Sequence, residues 1–154
     1  MNKDLTINVF VYGSLKSGFY NHFLLENALK IDNATTLDTF LMYPNINYFF
    51  PFLFKAISHE DIKKSISVKG ELYKINNELL SELDILEGVS AGFYNRETIE
   101  VRTLDNIVQK AYVYIANNSL LDSNEVDILK KPLEVWSRED EACGMQYINK
   151  KNGL

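Results

Sequence analysis

Glu87 stands at the end of the segment NELLSELDILE, in which Leu79, Leu80, Leu83 and Leu86 recur at helical spacing while Glu78, Ser81 and Glu82 fall away from that stripe. At about 100° per helical step, the Cβ direction seven residues on from Leu80 differs from that of Leu80 by only roughly 20°. The pattern therefore aims an ionisable group with the leucines. Burial penalises a charged carboxylate, and the partly negative C-terminal end of a helix penalises it again, so both effects raise its proton affinity. A carboxyl in that condition suits a general base near neutral pH. The same spacing also allows a helix that frays at Leu86 and leaves Glu87 pointing to water beside Gly88.

A second place with chemical potential is VFVYGSLKSGFYNH, Val9 to His22. A glycine follows a β-branched, aromatic run and precedes a helical pattern, so backbone N–H groups can face an anion with no Cβ in the way. Such a loop can hold a carboxylate. Its spacing matches neither the dinucleotide fingerprint G-x-G-x-x-G nor the phosphate loop ending in Gly-Lys-Ser/Thr. A plain tight turn, in which Ser14 bonds its own backbone, fits the same residues.

Elements must deliver these groups. INVFVY, Ile7 to Tyr12, reads as a strand ending at Gly13, and Asn21 is placed to cap a short helix with Leu24, Leu25 and Ala28 on its apolar side. Further strands are expected at TTLDTFLMY, FFPFLF, SVKGELYKI, RETIEVR and VQKAYVYI. The clearest helix lies between Ile75 and Gly88, with Asn76 or Asn77 as cap, Glu78 in its first turn and Gly88 as terminator. Another helix is expected from Ser123 to Lys130, before Pro132. Sheet outweighs helix.

Composition narrows the function classes. A chain of 154 residues with 46% hydrophobic residues, 12% aromatics, seven Gly and three Pro has the size and make-up of one globular domain, 1–154. A net charge of -5, with adjacent basic residues only at Lys63-Lys64, Lys130-Lys131 and Lys150-Lys151, argues against a nucleic-acid partner. The apolar stretch from Tyr48 to Ile57 is interrupted by Pro51 and Lys55 and falls far short of the ~20 residues of a spanning helix, so it reads as a buried strand and no membrane partner is expected. A single cysteine, Cys143, and an N-terminus without a signal-peptide core point to the cytoplasm.

Three segments together resemble the gamma-glutamylcyclotransferase-like superfamily. FVYGSLKSGFYNH, Phe10 to His22, is similar to the family's Tyr-Gly-Ser/Thr-Leu loop with its following Lys/Arg, Gly and Asn. VKGELYKI, Val68 to Ile75, resembles the strand before the active-site helix, and LDILEGVSAGFYNRETIEV, Leu83 to Val101, resembles the segment carrying the catalytic glutamate. The match is good from Val9 to about Ile115 and loose beyond, where VWSRED is similar to some bacterial members. By position, the family's glutamate falls on Glu87 and its tyrosine and arginine on Tyr94 and Arg96. The first segment is nearer the gamma-glutamylamine branch, and EGVSAGFY is nearer the branch acting on free gamma-glutamyl amino acids.

The resemblance implies an α+β fold built on a small mixed, barrel-like sheet with a few flanking helices. It also implies an enzyme that releases 5-oxoproline from a small gamma-glutamyl substrate, with Glu87 as acid/base and the loop Tyr12, Gly13, Ser14 and Leu15 as substrate cradle. The substrate supplies the nucleophile, so no metal or cofactor is implied. Tyr94 is divided between a bond to substrate or Glu87 and a place in the core, and Arg96 is expected to pair with a carboxylate. Trp136 and Tyr147 are expected to pack, His22 and His59 to lie at the surface, and Cys143 shows no sign of reactivity. The competing function is a non-catalytic pocket for a small metabolite.

Overall fold

The computed structural model describes residues 5–45, 50–122, 126 and 131–142. Along the chain lie β1 (Ile7–Val11), β2 (Leu29–Thr36), β3 (Phe40–Pro44), β4 (Pro51–Lys55), α1 (His59–Lys64), β5 (Lys69–Ile75), α2 (Asn77–Leu86), β6 (Tyr94–Thr103) and β7 (Val108–Ala116), with short 3-10 turns at His22–Leu25 and Asn118–Asp122. The sheet closes into a barrel in the order β1-β5-β2-β6-β7. Its pairs β1/β5, β5/β2, β2/β6 and β6/β7 are antiparallel, and a parallel contact of Val9 with Tyr112 returns β7 to β1. β3 and β4 form a separate antiparallel pair. The barrel-like α+β expectation is met.

β1 carries apolar side chains on both faces, which explains why its sequence is a continuous run instead of an alternation. Val9 and Val11 join one buried cluster with Leu80 and Leu83 of α2, whereas Phe10 and Tyr12 join a second with Met42, Leu72, Val113 and Trp136. β7 divides in the same manner, with Tyr114 and Ala116 in the first cluster and Val113 and Ile115 in the second. The strand that ends at Gly13 is therefore fixed from both sides. No helix among the described residues is long and apolar enough to cross a membrane.

α2 begins at Asn76, whose side chain accepts a hydrogen bond from the Leu79 N–H at 2.8 Å, and Glu87 occupies its C-terminal cap. Gly88 follows at φ +63°, a conformation that residues with a Cβ avoid, so the chain turns away immediately after Glu87. Only Leu80 and Leu83 of the expected leucine stripe are buried. Leu86 is 46% exposed because it faces the mouth of a cavity, not the core.

Other expectations need correction. TTLDTFLMY is not one strand: β2 ends at Thr36 and β3 begins at Phe40. Thr36 makes the break by accepting the Val68 N–H on its hydroxyl, which in turn donates to the Asp38 carbonyl. The helix expected after Asn21 is a 3-10 turn, His22–Leu25, and the Asn21 side chain bonds Ser14 instead of capping it. α1 escapes the sequence reading because it buries no residue, although Ser58 caps it and Glu60, Asp61, Lys63 and Lys64 are ordered as its dipole prefers. Most of the helix expected at 123–130, together with Cys143 and Tyr147, lies outside the described residues; Val126 bridges Asn45 in an isolated antiparallel contact.

Candidate active site

β1, the following loop, β4 and the end of α2 converge on a cavity of about 560 Å³. Tyr12, Gly13, Ser14, Leu15, Glu87 and Tyr94 all line it, as do Tyr114 of β7 and Phe50, Pro51 and Phe52. Every residue that the sequence reading places in a site is thus brought to one wall or another of a single space.

The loop is held by its oxygens. The Gly13 carbonyl accepts the Lys16 N–H at 3.1 Å and the Ser14 carbonyl accepts the Asn21 N–H at 2.8 Å. The Ser14 hydroxyl accepts from the Asn21 side chain at 2.9 Å, and the Leu15 carbonyl lies 3.0 Å from His22 Nδ1, which must carry the hydrogen there. The N–H groups of Gly13, Ser14 and Leu15 donate to no acceptor among the described residues, although all three residues are buried. Buried donors without partners are uncommon, and a row of them beside a cavity suits an anionic or developing-oxyanion ligand. Gly13 is required by close approach: a Cβ there would lie 2.8 Å from Cδ of Pro51.

Lys16 anchors the loop from behind. Its side chain is buried, donates to the Trp136 carbonyl at 2.6 Å and stands 4.5 Å above the Phe19 ring. Burial pushes its ammonium pKa down, against the opposing charges of Glu71, Asp140 and Glu141. The expected packing role of Trp136 is met, and its indole N–H has no partner among the described residues. Of the two histidines, His59 is exposed, whereas His22 is half-buried against the loop with its ring centroid 6.0 Å from that of Tyr73. The surface expectation for His22 is corrected accordingly.

Glu87 faces the cavity, and its carboxylate accepts no hydrogen bond from any described residue. Burial pushes this carboxyl up to about 7 from an ordinary 4.5. Three tyrosines surround it closely enough to respond to its charge. Burial raises Tyr12 well above the usual phenol range and the Glu87 charge adds to that; for Tyr94 burial leads, followed by Tyr12 and then Glu87; Tyr114 is raised by burial and by its bond to Asp84. The Tyr12 hydroxyl donates to the Tyr114 carbonyl at 2.6 Å and the Tyr94 hydroxyl to the Pro51 carbonyl at 3.2 Å. Tyr94 is therefore both buried and cavity-lining, and its hydrogen bond goes to β4, not to Glu87.

One helical turn before Glu87, Asp84 is fully engaged. Its Oδ2 accepts from Arg96 at 2.6 Å and its Oδ1 from the Tyr114 hydroxyl at 2.7 Å, while the Arg96 guanidinium lies 4.8 Å over the Tyr112 ring. Arg96 is an ion-pair partner, as expected. The clamp ties the last turn of α2 to β6 and β7 and so sets where Glu87 points. Asp84, Tyr114 and the β4 aromatics are not singled out by the sequence reading. The position of Asp84 three residues before Glu87, hence on the same helical side, is the signal that could have found the first of them.

With this geometry in view, the comparisons with known proteins agree. Residues 9–138 match the family model described as Gamma-glutamyl cyclotransferase, AIG2-like. A relative from Arabidopsis thaliana named "Putative gamma-glutamylcyclotransferase" is 36% identical over 66% of this chain and 54% of its own length, so the chain spans about half of that protein. Gamma-glutamylaminecyclotransferase A of Danio rerio is 31% identical over 83% of this chain and 77% of its own. A crystal structure of an AIG2-like protein from Mus musculus superposes with a TM-score of 0.67 over 85% of this chain and 88% of that one, at 22% identity, a likeness of fold. By the span of the family match, the chain belongs to the Gamma-glutamyl cyclotransferase, AIG2-like family.

Proposed function

We propose that the protein converts a gamma-glutamyl amide to 5-oxoproline and a free amine, as one domain and with Glu87 as proton carrier. The observation that carries this reading is an unpartnered carboxylate with a pKa near 7, in the same cavity as three undonated backbone N–H groups. The substrate's α-ammonium ordinarily titrates at about 8, within a unit or so of Glu87, so proton transfer between them costs little. Glu87 takes that proton, and the freed amine nitrogen attacks the substrate's own side-chain carbonyl. An N–C bond forms, and the carbonyl electron pair moves to oxygen. The N–H groups of Gly13, Ser14 and Leu15 receive the substrate carboxylate or the new oxyanion; one well-placed oxyanion donor is worth about 3 to 4 kcal/mol.

Collapse of that intermediate breaks the bond to the leaving nitrogen, which takes the first proton back from Glu87; the surplus proton of the ring nitrogen then passes through Glu87 to the released amine, which departs as an ammonium and leaves a neutral lactam. No water is consumed, and enzyme and proton count return to their starting state. The nucleophile belongs to the substrate, so the scheme asks for no activated Ser or Cys. Holding the folded-back glutamyl conformer supplies further acceleration, a task for a cavity with rigid walls. Membership of the family and the name of the Danio rerio relative support the same reading.

The test is incubation with gamma-glutamyl amines and gamma-glutamyl amino acids, with 5-oxoproline measured by chromatography. Release by the native chain and its loss in Glu87→Gln, whose fold is checked by circular dichroism, is the expected result. Equal turnover by the variant removes Glu87 from the mechanism.

A further inference from the structure

From Gly13 to Asn21 the backbone N–H groups divide into two sets. Those of Gly13, Ser14 and Leu15 belong to cavity-lining residues and find no acceptor among the described residues, whereas those of Lys16, Ser17, Phe19, Tyr20 and Asn21 are all used. Two of the acceptors are carboxylates from outside the loop: Ser17 donates to Glu71 of β5 at 2.7 Å and Tyr20 to Glu141 at 3.0 Å. The outer half of the loop is thus pinned to the barrel and to the C-terminal segment, and the inner half keeps its donors for a ligand.

Lys16 stands where the two sets meet. It is not among the residues that line the cavity, and its ammonium reaches instead to the Trp136 carbonyl. That carbonyl belongs to a segment with anchors of its own. The Leu133 N–H donates to the Met42 carbonyl of β3, and the Glu134 carbonyl accepts the Lys69 N–H of β5, each at 2.8 Å. Lys16 is only 5% exposed and forms no salt bridge among the described residues, although Glu71, Asp140 and Glu141 favour its charge from beyond contact. A buried cation held by one carbonyl and one aromatic face contributes little to stability, and an apolar side chain would fill its place at less cost. The loop gains more from it. The Lys16 N–H closes the turn on the Gly13 carbonyl while its side chain ties the same residue to the anchored segment. A positive charge behind three amide donors also adds to the potential that an anion meets in front of them.

We infer that Lys16 is a positioning residue for the reaction: held by the Trp136 carbonyl, it keeps the N–H groups of Gly13, Ser14 and Leu15 turned toward the substrate and makes the C-terminal segment part of the active site. This rests on the cyclotransfer reading above and adds to it a residue that governs turnover without touching the substrate. A misplacement of about 1 Å in such a site costs on the order of 10²-fold in rate.

The test uses full-length protein, with 5-oxoproline release as readout and temperatures well below the melt. Lys16→Met, which keeps the length and removes the charged donor, should lower kcat/KM by about 10- to 100-fold with circular dichroism unchanged. Lys16→Arg, which restores a cationic donor, should recover most of that loss. Lys69→Met removes a lysine beside the same segment, from an exposed pair with Glu134, and should turn over as the native chain does. In the native chain, the ¹⁵N signal of the Lys16 ammonium should shift together with the Gly13 to Leu15 amides as 5-oxoproline is added, a reading that decides the matter even where Lys16→Met does not fold. A fully active Lys16→Met, a Lys16→Arg no better than Lys16→Met, or a Lys16 signal that ignores bound 5-oxoproline overturns the inference and leaves cyclotransfer standing. Absence of 5-oxoproline from every gamma-glutamyl compound incubated with the native chain overturns the parent reading and the inference with it.

Discussion

Asp84 and Glu87 sit three residues apart on the same helix, carry the same functional group and meet opposite surroundings. Asp84 has both oxygens occupied, by Arg96 and by Tyr114, and is bound to two strands of the barrel. Glu87 has a cavity in front of it, and burial without compensation raises its proton affinity. Chemistry at a helix end is thus decided by neighbours and not by residue type: one carboxylate spends its charge on holding the helix, and the other keeps its charge available.

That contrast can be broken from the Glu87 side first. Glu87→Gln keeps the shape and removes the proposed proton carrier, so turnover should fall by about 10²- to 10⁴-fold while far-ultraviolet circular dichroism is unchanged. Asp84→Ala should divide its effect differently. Loss of one partner from a half-buried pair with two hydrogen bonds costs about 2 kcal/mol, so thermal melts should show Tm lowered by roughly 4 to 8 °C. Its kcat, measured well below the melt, should drop far less than that of Glu87→Gln. A stable, inactive Asp84→Ala would instead move Asp84 into the reaction itself.

A smaller effect sharpens the same comparison through pH. The folded carboxyl of Glu87 titrates near 7 and its unfolded counterpart near 4.5, so folding favours the protonated form. The contribution is fully present below the lower value and is lost as pH rises through the upper one. Stability of the native chain should therefore decline between pH 5 and pH 8 by a step that Glu87→Gln lacks. At pH 8 the variant should be the more stable by on the order of 2 kcal/mol, a value that allows for solvent at the cavity mouth, and urea titrations at the two pH values measure it.

What the sequence made legible was local. Gly13 at the end of a β-branched run and Glu87 at the end of a leucine stripe are patterns within a dozen residues, and both lead to the cavity. The partners of Asp84 come from Arg96 and Tyr114 on other strands, and no short window holds that information. β2 is hard to read for a different reason: its first residues are exposed or half-buried although it pairs on both edges, so no alternation marks it. The leucine stripe misleads at Leu86 because helical periodicity shows which residues share a face, not whether that face meets core or a cavity. Closure of the barrel depends on a parallel contact between residues 9 and 112, a pairing that only the folded chain brings about.

The most direct measurement is the titration of the Glu87 side-chain carboxyl by ¹³C NMR, assigned by the signal that disappears in Glu87→Gln. An apparent pKa near 7, moving on addition of 5-oxoproline, is the predicted result. A midpoint near 4.5 that ignores the added product would mean a solvated glutamate at a helix end, and the proton-transfer role would have to go elsewhere.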